Sequence, residues 1–87
     1  MNSISLQIAS NPANESVMLQ FGKTGEIESW NLKIVDTAGR TRLSKELQNK
    51  SKITLHYLDT AHLQEGVYFV IIEGKKDILI RKLFIGD

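Results

Sequence analysis

Polar and apolar residues alternate with a period of two in one short run after another, and no helix can put such a pattern on a single buried face. Over residues 3–8, Ile4, Leu6 and Ile8 fall on one side and Ser3, Ser5 and Gln7 on the other, the pattern of a strand with one face in a core and one in water. Residues 17–21 send Val17, Leu19 and Phe21 one way, and residues 30–34 do the same with Trp30, Leu32 and Ile34. Residues 42–47 repeat the pattern weakly, residues 53–57 alternate again, and residues 78–85 close the series. Residues 67–72 are apolar on both faces and rich in β-branched and aromatic side chains, which predicts a central strand buried on both sides. Turn-forming residues separate these runs at 10–14, 22–25, 36–39, 48–51 and 74–77. About seven short strands so punctuated predict an all-β fold, an immunoglobulin-like antiparallel β-sandwich. The longer connection over 58–66 predicts one helical turn at 59–63, with Leu63 plugging an end of the core.

Composition narrows the function. The chain has 87 residues, room for one domain whose core needs nearly every apolar run. Eleven Lys and Arg against 10 Asp and Glu give a formal charge of +1, no field that would attract nucleic acid. Without cysteine, neither a disulfide nor a thiolate site can form. The first residues show no basic stretch followed by a continuous apolar one, and no apolar run approaches the about 20 residues of a membrane-spanning helix. A soluble chain without its own export signal is expected.

Few residues suggest chemistry. His56 stands in a strand between Leu55 and Tyr57 and is expected to face solvent, opposite those apolar neighbours. His62 lies near Asp59, Thr60 and Glu65, but a triad within one short loop lacks the rigid support catalysis needs. The six glycines are dispersed among turns, where positive φ explains them, and form no phosphate-binding loop. Asn14-Glu15-Ser16 and Asn49-Lys50-Ser51 match the glycosylation triplet, a motif too short to carry weight. Trp30 is expected in the core. Lys75, Lys76, Arg81 and Lys82 form a local basic patch on the last hairpin. No catalytic residue, cofactor, metal or small-molecule substrate is expected.

The turn signals taken in order carry more. Residues 11–17 with Asn11, Pro12 and Ala13, residues 32–40 with Asp36, Gly39 and Arg40, residues 63–70 with Leu63, Gly66 and Tyr68, and residues 80–84 together resemble the type A C-terminal sorting domain of cargo for the type IX (Por) secretion system. The resemblance spans about residues 4–85. Pro12 fixes φ and cannot donate to a ladder, so with Asn11 it ends the first strand. Asp36 can bond the backbone ahead while Gly39 takes positive φ. The chain departs from the family pattern at Ala9-Ser10, at Glu65 and at Gly86-Asp87.

What the resemblance implies is an address label on a larger cargo protein, from which residues 1–87 are expected to be an excised domain. Cargo reaches the periplasm by an ordinary signal peptide, and the folded C-terminal domain is then recognised by translocon and shuttle components. A surface sortase removes it after transport across the outer membrane. Within that frame the last hairpin is expected to supply the recognition surface, through Lys75, Lys76, Arg81, Lys82, Leu83 and Phe84, because a terminal strand can offer an unpaired edge to a partner. An uncovered edge of the sandwich is also expected to allow a strand-mediated homodimer. The alternative reading is an extracellular immunoglobulin- or fibronectin-like spacer or adhesion module. A carbohydrate-binding module would want more exposed aromatics than six shared with a core can provide.

Overall fold

The computed structural model describes residues 4–9, 16–23, 29–48 and 53–86. Seven strands lie among them: β1 (Ile4–Ala9), β2 (Ser16–Lys23), β3 (Ser29–Asp36), β4 (Thr41–Gln48), β5 (Ile53–Asp59), β6 (Gly66–Glu73) and β7 (Ile78–Ile85). Every pairing is antiparallel, in a three-stranded sheet β1-β2-β5 and a four-stranded sheet β4-β3-β6-β7. The expected all-β sandwich is therefore present. Its fourth strand is placed differently from that of a constant-type immunoglobulin domain, where the fourth strand joins the first, second and fifth. Here the turn between β3 and β4 is too short to let the chain cross over, so β4 stays beside β3 as a hairpin.

Alternation puts one face of each sheet into a shared core. On β3, Trp30, Leu32 and Ile34 are buried, with Leu32 opposite Ile72 and Ile34 opposite Val70 on β6. The facing sheet contributes Val17, Leu19 and Phe21 from β2, with Leu6 and Leu58 beside them. Phe21 meets Trp30 edge to face, ring centroids 5.0 Å apart at 70°, the arrangement that suits the ring quadrupoles. Full burial of each such aliphatic side chain is worth roughly 1.5–3 kcal/mol. Gly74, just beyond β6, lies under the indole: a Cβ there would come within 2.5 Å of the Trp30 ring. This glycine serves close packing rather than the positive φ expected of it.

Three expectations are corrected. β6 is central, but only Tyr68, Val70 and Ile72 are buried, while Val67, Phe69 and Ile71 are half-buried, because none of the other described strands covers the outer face of the four-stranded sheet. On β5 the faces are reversed: Leu19 opposes His56 and Val17 opposes Leu58, so His56 and Leu58 point inward while Leu55 and Tyr57 are exposed. Leu58 decides this, since a one-residue slip would expel it from the core. The connection at 59–63 is a turn, not helix. The Leu63 amide donates to the Thr60 carbonyl at 3.0 Å, and the Ala61 amide donates to Asp59 Oδ1 at 3.0 Å. Leu63 does enter the core.

Candidate functional site

Two of the sequence motifs meet at one end of the sandwich. At the β3–β4 turn the Gly39 amide donates to the Asp36 carbonyl at 3.0 Å, and Gly39 takes φ of +84°. Asp36 Oδ1 accepts from the amides of Ala38 and Arg40 at 3.0 and 2.9 Å, and its Oδ2 accepts from Arg40 Nε at 2.9 Å. One carboxylate thus fastens the whole loop. The Arg40 amide, followed by its guanidinium, holds the Asp36 carboxyl below its ordinary range.

Across from this turn the chain passes from β5 in one sheet to β6 in the other. Gly66 sits at φ +154°, backbone that side-chain-bearing residues rarely adopt. Two residues later Tyr68 enters the core, and its hydroxyl donates back to the Gln64 carbonyl at 2.6 Å. A tyrosine tied to the backbone upstream at an inter-sheet crossing is the tyrosine corner of Greek-key sandwiches. Leu63, Gly66 and Tyr68 therefore shape this corner: the first plugs, the second turns and the third ties. The two turns flank an open cleft of about 320 Å³ lined by Asp36, Arg40, Arg42, Gln64, Glu65 and Tyr68, among others. Asn11, Pro12 and Ala13 lie outside the described residues.

The last hairpin is distributed differently from the expected patch. Lys75 and Lys76 are exposed in the β6–β7 turn, which the Gly74 amide closes by donating to the Asp77 carbonyl at 2.8 Å. In the ladder Arg81 stands opposite Val70 and Lys82 opposite Phe69. Their side chains consequently leave opposite faces of β7. Lys82 lies on the outer face with its ammonium 5.7 Å from the Phe84 ring centroid, beside the exposed Ile78 and Ile80. Arg81 stays exposed on the inward-facing side at the rim, and its Nη1 donates to the Ile80 carbonyl at 2.9 Å. Leu83 is fully buried and opposes Tyr68, so it belongs to the core and not to the surface expected of it.

Nothing in this geometry assembles a triad. Thr60 is fully buried and its hydroxyl has no partner among the described residues. Asp59 is occupied by the turn, and His62 is exposed. Among the described residues no group of three or more His, Asp or Glu could hold a metal ion. Facing inward, His56 has a buried Nε2 without a hydrogen-bond partner among the described residues. Desolvation, with Lys45 adding repulsion, pushes its pKa below the ordinary 6.5. Sequence reasoning missed both this inward histidine and the Tyr68 tie. The second was signalled by a tyrosine two residues after a glycine at a strand start.

Comparison with known proteins follows the same lines. The chain superposes on the crystal structure of dimeric latent PorU from Porphyromonas gingivalis with a TM-score of 0.76, over 98% of its own length and 9% of that chain, at 14% identity. That likeness supports the sandwich, and the chain spans only a small part of the protein it matches. No curated protein matches the sequence. The family model described as "Secretion system C-terminal sorting domain" matches residues 7–86. With nearly the whole sandwich inside that match, the chain belongs to the Por secretion system C-terminal sorting domains, a family of secretion signals.

Proposed function

We propose that this domain directs a cargo protein across the outer membrane through the type IX secretion machinery and is removed afterwards by a surface sortase. The observation that carries the reading is the family match over residues 7–86. In support, the motif residues at 36–40 and 63–68 are engaged in turn geometry and corner packing rather than in convergent chemistry. The domain is then a substrate for its machinery: it resides in the periplasm in transit and reaches the cell surface with its cargo.

Recognition is proposed to lie on the last hairpin, where Lys75, Lys76, Arg81, Lys82 and Phe84 are exposed. The translocon or a shuttle component reads that surface. An inert periplasmic reporter carrying this chain at its C-terminus tests the export step, in a competent host and in one lacking the translocon. Reporter on the surface or in the medium of the competent host alone is the expected result. Within that assay Arg81→Glu with Lys82→Glu abolishes export while the isolated domain keeps its far-UV spectrum and melting temperature within a few degrees. Undiminished export of the folded variant would remove the hairpin from the recognition surface.

A further inference from the structure

We infer that β7 accepts an extended acidic segment of a partner chain as a fifth strand of the four-stranded sheet, an inference that rests on the recognition reading of the last hairpin. The sheets have four lateral edges, β1, β5, β4 and β7, and they are not equivalent. Opposite β3, β4 carries a register irregularity, and its outer face bears Ser44, Glu46 and Gln48, features that blunt an edge. β1 comes alongside β7 but pairs only with β2. β5 also has an unpaired side and exposes Leu55 and Tyr57, but among the described residues β7 carries the longer apolar row, Ile78 at 55%, Ile80 at 51% and Phe84 at 43% exposure, and sets two exposed cations, Arg81 and Lys82, within it. The half-buried Ile71 and Val67 stand opposite Ile80 and Phe84, so the apolar surface continues inward across β6. A monomeric domain gains nothing from presenting it to water.

Charge selects the occupant. Arg81 and Lys82 are exposed at the middle of β7 on opposite faces of the sheet. A second copy added antiparallel with the two outer faces aligned has greatest overlap when either Arg81 or Lys82 stands opposite its own counterpart, and like charges directly opposite are destabilising. The edge-strand homodimer is therefore disfavoured by the strand itself. A segment with two adjacent acidic residues meets both cations at once, one on each face, because its own side chains alternate in the same way. Apolar residues flanking the acidic pair then extend the surface of Ile78, Ile80 and Phe84. Main-chain bonding along the edge supplies affinity, and the acidic pair supplies register.

The test uses the 87-residue chain and three probes. The first is a synthetic peptide, Thr-Val-Thr-Glu-Glu-Val-Thr-Val, the second is the same peptide with both glutamates replaced by lysine, and the third is vesicles of phosphatidylglycerol. The acidic peptide is expected to bind, with new amide-exchange protection confined to residues 78–84, and the basic one to bind roughly tenfold or more weakly. Arg81→Glu with Lys82→Glu should invert that preference. Equal binding of both peptides, protection elsewhere, no peptide binding, or capture by vesicles in place of peptide would each overturn strand addition. The export assay separates the two levels. If charge reversal blocks export but no peptide binds, hairpin recognition stands and strand addition falls; if export is unaffected, both fall.

Discussion

Tyr68 does two jobs that its place in the sequence displays unequally. Its burial follows from alternation, since Tyr68, Val70 and Ile72 share a face. Its hydroxyl bond to the Gln64 carbonyl at 2.6 Å does not, because that contact depends on how the chain folds back at Gly66. Tyr68→Phe keeps the ring and removes the tie, leaving a carbonyl short of a partner at the sheet crossing. A loss of about 1–2 kcal/mol in urea unfolding at unchanged m-value is expected. No change in midpoint would mean that the corner is held by Leu63 and the Gly66 backbone alone. Asp36 is the opposite case: the spacing of Asp36 and Gly39 announces a turn, and the structure has the carboxylate bonded along it. Local motifs are legible when their partners are near in sequence. His56 was misread because its orientation is set by Leu19 on another strand and by Leu58 two residues on.

At the scale of the strand, β7 looks uniformly apolar with a basic insert, and the structure divides it. Leu83 and Ile85 face the core while Ile78, Ile80, Lys82 and Phe84 face out. Replacing neighbours should therefore give contrasting results. Leu83→Ala opens a hole opposite Tyr68 and is expected to cost about 2–4 kcal/mol. Phe84→Ala, 43% exposed, should change stability by no more than about 1 kcal/mol while impairing export. Denaturant melts of the two variants beside the reporter assay check this, and equal destabilisation would contradict the division of faces. Strand positions were readable from period two, and so was the burial of β3. Which face of β5 or β7 turned inward was not, because the preference is decided by pairing with β2 and β6.

For the whole molecule, two titrating groups among the described residues, His56 and Asp36, have shifts that tie stability to acid. His56 has a folded pKa below its ordinary 6.5, so the unfolded chain takes the proton first and stability falls as pH drops through 6.5 and below. Asp36 is lowered from 3.8; the stability it contributes is present above that value and is lost as pH falls through the folded pKa. Melting temperature should thus decline as pH falls below the ordinary histidine value of 6.5, before any carboxylate-driven unfolding. His56→Leu, facing Leu19 from the inner side of β5, should flatten that upper decline and leave the acid limb unchanged. An unaltered slope in the variant would place the titration elsewhere.

The opposite outlooks of Arg81 and Lys82 exist only while β7 is extended beside β6. In an unfolded tail these two cations are merely adjacent, with no face, edge or spacing to distinguish them. A reader that needs one cation on each side of a strand is thereby a reader of completed folding. On the proposed reading, address and inspection stamp become the same object, and a domain that has not yet closed its last hairpin presents nothing to be read.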